Sequence, residues 1–246
     1  MIRVRNLWKS FGSQEVLRGL NLDIPAGQMT VIIGRSGEGK SVLLKHLIGL
    51  LQPDRGEILI DNEDVSGFDE LKWNKVRARF GMLFQNAALF DSMTVAENIA
   101  FPIQERFRPP PPNLDEIVRA KLALVGLKNI EHKFPSELSG GMRKRVGLAR
   151  AIALDPQIVL YDEPTTGLDP IMSDSIYALM RHMQATLKVT AVMISHDMEG
   201  AMQVADRIVV LEKGQIVAEG TPQVILESTH PLVEAFFHKV KAAIEP

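Results

Sequence analysis

Eight consecutive residues, Gly34-Arg35-Ser36-Gly37-Glu38-Gly39-Lys40-Ser41, have the spacing G-x-x-x-x-G-K-[ST]. Glycines at these positions let successive backbone N–H groups turn inward and ring a phosphate. A helix beginning near Lys40 would aim the positive end of its dipole at the same place. Lys40 could then reach the β- and γ-phosphates, and the Ser41 hydroxyl could ligate magnesium. The chemistry these residues can do is nucleotide binding. The competing reading is a tight turn that matches by chance, and the elements around it argue against that.

Two acids follow an apolar run in Ile158-Val159-Leu160-Tyr161-Asp162-Glu163. Ligands of open α/β sheets sit beyond the carboxyl ends of the strands. Asp162 there could hold magnesium, directly or through water. Glu163, one residue on, could polarise an attacking water. Alone, the pair would read as the start of a solvated loop. His196 follows another apolar run, Val189 to Ser195, and is suited to a hydrogen bond to a γ-phosphate or to the water. Gln85 ends the run Met82-Leu83-Phe84 and could touch magnesium or water. Without the phosphate loop, both would read as ordinary surface side chains. A second glycine stretch, Leu138-Ser139-Gly140-Gly141-Met142, precedes an expected helix over 142–153 and offers a hydroxyl, close backbone approach and a helix N-terminus to an anion.

The elements that must position these residues can be read from periodicity. Residues 1–7 and 15–24 alternate, and Met29 to Ile33 is a continuous apolar run of the kind buried on both faces. A helix is predicted from Lys40 to Leu51, ended by Pro53 and Gly56, with a further strand at Gly56 to Ile60. Residues 91–154 have mostly helical periodicity, interrupted by the stiff connector Pro109-Pro110-Pro111-Pro112. From Gln157, strands and helices alternate, with a helix at 173–187 and a hairpin turning at Lys213-Gly214. The expected fold class is α/β, with a mostly parallel sheet, an N-terminal β-rich part and an inserted helical lobe. The tail from Thr221 reads as helical.

Composition sets bounds. The chain has 246 residues, 46% hydrophobic and 24% charged, ordinary for a globular protein. A net charge of −2 gives no basic field for nucleic acid. There are no cysteines, so disulfides and thiol chemistry are excluded. The N-terminus lacks the apolar core of a secretory signal, and no apolar run approaches the roughly 18 residues that would span a bilayer. The expectation is a cytoplasmic chain that meets a membrane through a partner.

Taken in order, GRSGEGKS, Gln85, LSGGM, IVLYDE, Gly167-Leu168-Asp169 and His196 resemble the Walker A, Q-loop, signature, Walker B, D-loop and switch motifs of the ATP-binding subunits of ABC transporters. The resemblance covers nearly the whole chain, read as a single nucleotide-binding domain over 1–246 with a helical subdomain at about 86–155. It implies a P-loop NTPase core with an N-terminal antiparallel β subdomain, and ATP and Mg2+ as cofactors. By the resemblance, Gly34, Arg35, Ser36, Gly37, Glu38, Gly39, Lys40 and Ser41 hold ATP, as do Ser139, Gly140, Gly141 and Asp169. Ser41, Gln85 and Asp162 hold the metal, and Glu163, His196 and Gln85 are catalytic. Phe11 matches the aromatic that stacks on adenine, with Trp8 close by.

The resemblance also implies a head-to-tail dimer of two copies, each ATP lying between the phosphate loop of one and the signature loop of the other, on an integral membrane permease. Met142 departs from the commonest signature, which has glutamine there. LSGGM, the segment Phe84 to Phe90 and LARAIAL at 148–154 are similar to MlaF-type subunits. Those work with a permease and an MCE-domain lipid-binding protein to move phospholipid between bacterial membranes, which places such a subunit on the cytoplasmic face of the inner membrane. An importer of an amino acid or other small solute is the alternative, and a soluble ATPase acting on ribosomes or DNA a more remote one. The apolar cluster Met82, Phe84, Leu89, Phe90 and Met93 suggests a docking surface, with Phe90 and Met93 as the expected permease contacts.

Overall fold

The structure is a computed structural model that describes residues 1–244. It divides into two compact units, Met1–Arg77 together with the chain from Thr190 onward, and Ala78–Val189. The chain opens with β1 (Ile2–Phe11), β2 (Gln14–Ile24), β3 (Met29–Ile33), α1 (Lys40–Leu47), β4 (Arg55–Ile60), β5 (Glu63–Asp64) and α2 (Glu70–Arg77). The second unit holds β6 (Phe80–Leu83), α3 (Val95–Arg106), α4 (Leu114–Leu124), α5 (Gly140–Ala151), β7 (Ile158–Asp162) and α6 (Pro170–Leu187). The first unit then resumes with β8 (Thr190–Ser195), α7 (Met198–Val204), β9 (Arg207–Glu212), β10 (Gln215–Gly220), α8 (Pro222–Leu226) and α9 (Pro231–Ile244).

In the first unit, β2, β1, β4 and β5 form an antiparallel sheet in that order, the β-rich N-terminal part expected from the alternation. Ile2, Val4 and Leu7 of β1 are buried and stand against Ile24, Leu22 and Leu20 of β2. A second sheet runs β10-β9-β3-β8. Its centre, β3, lies parallel to both β8 and β9, and all five of its residues are buried. Covering both faces is what demands an unbroken apolar run there. The register pairs Ile33 with Ser195 on one side and with Val210 on the other, so the chain leaves β3 beside the end of β8. The β9–β10 hairpin turns at Lys213 and Gly214, both at positive φ, as a two-residue primed turn requires.

Helix α1 stops at Leu47, four residues short of the expected end. Gly49, at φ 66°, breaks it, and Arg77 of α2 donates to the carbonyls of Ile48 and Gly49 at 3.0 and 2.9 Å. These are carbonyls a helix leaves without internal partners. A Cβ on Gly49 would come within 2.1 Å of the Trp73 ring, so α2 can seat against this turn only if residue 49 is glycine. Helix α2 itself buries only Trp73 and Val76, too little apolar periodicity to announce it in the sequence.

In the second unit, β6 and β7 pair in parallel. A Cβ on Gly81 would lie 2.1 Å from the Ala151 carbonyl oxygen, so α5 rests directly on β6. The expected helical lobe falls within this unit as α3, α4 and α5, with α3 opened by a Thr94–Glu97 capping box. Two boundaries differ from expectation. Helix α5 starts at Gly140, not Met142, and α6 at Pro170, not Ser173, because Ser139 and Asp169 are their N-caps. Among the described residues, no helix is long and apolar enough to cross a membrane.

Replacing Arg77 with Met should uncover the α1 carbonyls and cost about 1–3 kcal/mol of stability. Urea unfolding followed by tryptophan fluorescence measures this directly, since Trp8 and Trp73 both belong to the first unit.

Candidate nucleotide site

The phosphate loop emerges from β3 and ends at Gly39, the N-cap of α1 with φ 100°. Its glycines answer to different constraints. A Cβ on Gly34 would stand 2.5 Å from the Leu211 carbonyl oxygen of β9, and one on Gly39 would stand 2.9 Å from the Leu17 side chain. Gly37, at φ 85°, has nothing within 4 Å of the place a Cβ would take, so its glycine serves the backbone path and leaves an open concavity. Lys40 is buried, and its ammonium donates to the carbonyls of Gly34 (2.8 Å) and Arg35 (2.9 Å), curling the loop over its own side chain. The Glu38 carboxylate accepts from the Lys213 amide in the β9–β10 turn and so ties the loop to that hairpin.

The parallel register of β3 and β8 brings His196 to the loop. His196 lines a cavity of about 810 Å³ with Gly34, Arg35, Ser36 and residues of α9 that include Glu234 and His238. Phe11, at the end of β1, is exposed, with the Lys9 ammonium 5.7 Å from its ring centre. Trp8 is committed elsewhere. Its indole donates to Asn6 at 2.9 Å and packs against Gly19, which leaves Phe11 the better placed of the two for a base.

The remaining sequence-predicted residues belong to the second unit. Four buried residues of β7 deliver Asp162, half-exposed, at the carboxyl end of the strand. Glu163 follows at φ 49°, a conformation disfavoured for a residue with a Cβ and common where structure is held for function. Its carboxylate accepts from the Thr166 hydroxyl at 3.3 Å. Gln85 is exposed just after β6. Ser139 caps α5 by accepting from the Met142 amide (3.2 Å), and Asp169 caps α6 by accepting from the Met172 amide (2.9 Å).

Two residues missed in the sequence gather this unit. Lys144, on α5, is 5% exposed and donates to the Gln85 carbonyl and, at 3.5 Å, to the Glu163 carbonyl. Burial lowers its affinity for a proton, and the Glu163 and Asp162 charges oppose that. Arg150, two turns along, holds the carbonyls of Ala87 (2.7 Å) and Ala88 (2.8 Å), both at positive φ. In the sequence, Arg143-Lys144-Arg145 reads as a solvated basic run, and only packing distinguishes Lys144.

With this geometry in hand, residues 17–166 match the ABC transporter family. The chain belongs to that family and is an ATP-binding, ATP-hydrolysing cassette of α/β architecture. It is 45% identical over 237 residues to the probable ribonucleotide transport ATP-binding protein mkl of Mycobacterium leprae, covering 96% of this chain and 68% of that one. To the intermembrane phospholipid transport system ATP-binding protein MlaF of Haemophilus influenzae it is 42% identical over 228 residues, covering 93% and 86%. Among solved structures, a dimeric ATP-binding cassette in a post-hydrolysis state, bound to ADP and Pi, superposes with a TM-score of 0.82 at 30% identity, covering 90% of this chain and 99% of that one.

Among the described residues nothing demands glycine at position 140, where a Cβ would meet only Leu168 at an ordinary 3.5 Å. Gly140→Ala should therefore fold with unchanged or slightly raised stability, an alanine being favoured over glycine in a helix by about 0.5–1 kcal/mol. Its ATP hydrolysis should fall at least about tenfold if a phosphate must approach that backbone closely. Thermal unfolding and phosphate release measured side by side check both halves.

Proposed function

We propose that this chain is the ATP-hydrolysing subunit of an ABC transporter that moves phospholipid between bacterial membranes. The observation that carries the reading is the 42% identity to a phospholipid transport ATP-binding protein over 93% of the chain. The ribonucleotide transport name of the mycobacterial relative favours a second reading, an ATPase for a small-solute importer.

In either case Gly34 to Ser41 ring the phosphates of ATP, Lys40 leaving its loop carbonyls for the β- and γ-phosphates, and Phe11 stacks on the adenine. Ser41, Asp162 and Gln85 supply oxygen ligands of the kind magnesium takes. When bound, the metal neutralises charge on the transferring phosphoryl group. Glu163 accepts a proton from the attacking water, and His196 donates to the γ-phosphate or orients that water. A second copy contributes Ser139, Gly140 and Gly141 to the same nucleotide, and Asp169 lies near it.

The permease docks on the second unit. A groove of about 450 Å³ is lined by Phe80, Met82, Phe84, Phe90, Phe101 and Leu154, among others, and Phe84 and Phe90 are each 41% exposed. Apolar rings left this open suit the face of a partner helix. Phe90 is braced by Phe101 (4.9 Å between ring centres) and by the Arg150 guanidinium (5.7 Å). Of the two expected contacts, Phe90 lines the groove and Met93 lies outside its lining. The chain thereby sits on the cytoplasmic face of the inner membrane, with an MCE-domain lipid-binding protein on the far side of the permease.

Affinity purification of the chain from detergent-solubilised membranes should recover a permease, an MCE-domain protein and phospholipid detectable by mass spectrometry. A solute permease with a binding receptor in their place would select the second reading. Phe90→Asp should lose the permease while keeping ATP affinity, and retention of the permease would overturn the docking assignment.

A further inference from the structure

Helix α5 meets the segment after β6 through three residues on one face, at positions 144, 147 and 150. A Cβ on Gly147 would lie 2.8 Å from Leu83 and 3.0 Å from Ala87, so helix and segment touch at backbone distance. Arg150 fixes the carbonyls of Ala87 and Ala88. Lys144 does something neither of the others does. Its one ammonium donates to the carbonyl of Gln85 and to that of Glu163. Those two residues are 78 positions apart. The bond to Glu163 falls on a residue whose φ of 49° needs outside support.

A lysine kept at 5% exposure is costly unless its protons are satisfied, and both acceptors are main-chain oxygens. A solvated lysine would serve the surface equally well. Buried here, five residues after Ser139, it ties the start of α5 to the glutamine and the glutamate together.

We propose that Lys144 is a positioning residue for ATP hydrolysis, its ammonium setting the backbone of Gln85 and Glu163 so that their side chains are presented together. The assignment rests on the proposed roles of those two side chains. A misplacement of about 1 Å at a reacting group costs up to about a hundredfold in rate, whereas the phosphate loop that is proposed to supply ATP affinity belongs to the first unit and Lys144 to the second.

The test compares Lys144→Met, Lys144→Gln and Glu163→Gln with the unaltered chain, each as the full chain in its solubilised complex. Hydrolysis rate, ATP affinity without magnesium and thermal midpoint are measured for all four. Lys144→Met should lower kcat about tenfold or more with affinity unchanged, while the midpoint falls only modestly, from the two carbonyls left without their donor. Lys144→Gln, which keeps an N–H donor, should recover part of the rate. An unchanged kcat in Lys144→Met overturns the proposal. So does a joint fall of rate, affinity and midpoint, which would make Lys144 a support of the fold. Should the Met variant not fold, the same readings on Lys144→Gln decide, a full rate or a joint fall again overturning it. Full hydrolysis by Glu163→Gln would instead remove the role given to Glu163, a failure distinct from any at Lys144.

Discussion

A strand buried on both faces has to become, within one residue, a glycine loop curled over the side chain of Lys40. In this chain the change occurs between Ile33 and Gly34, under the carbonyl of Leu211. The buried strand cannot carry a polar side chain there, and the loop cannot carry a Cβ. Everything near follows from that junction. Strand β9 supplies the carbonyl that shuts out a side chain, β8 runs parallel so that His196 emerges beside the loop, and the β9–β10 turn reaches back to hold Glu38. The sheet acts as a jig for one backbone turn.

The second unit solves a different problem, holding several exposed loops still without a sheet wide enough to do it. Its device is α5. The helix begins at a serine that faces outward and continues into a basic face turned inward, where Lys144 and Arg150 collect four carbonyls between them. Cations suit this work because a carbonyl in a left-handed or irregular stretch has lost its regular partner, and a charged donor bonds it more strongly than a neutral one. Ala87, Ala88 and Glu163 are all such residues.

Much of this was legible in the residues themselves. The phosphate loop, the apolar strands with acids at their ends, the antiparallel start and the Lys213-Gly214 turn all rest on local rules: glycine for positive φ, alternation for half-buried strands, unbroken apolar runs for buried ones. What escaped depends on residues distant in sequence. Helix α2 is held by Trp73 packing under Gly49 and by Arg77 reaching the end of α1, neither of which leaves a periodic trace. The early starts of α5 and α6 come from side-chain caps, and a capping serine or aspartate looks the same in sequence as one in a loop. Lys144 was hidden for a related reason: flanked by two arginines, it carries no mark of burial.

The capping of α5 has a consequence for how Ser139 can meet a ligand. Accepting from the Met142 amide uses a lone pair of the hydroxyl oxygen and leaves its hydrogen uncommitted by that bond. The amide fixes where the oxygen sits, so the hydrogen sweeps only a narrow cone instead of the full range of a free serine rotor. A carboxylate in the same role, as at Asp169, is held equally firmly but has no hydrogen to give. Between two helices opened by the same kind of cap, only the serine's capping side chain has a hydrogen of its own to extend toward an oxyanion.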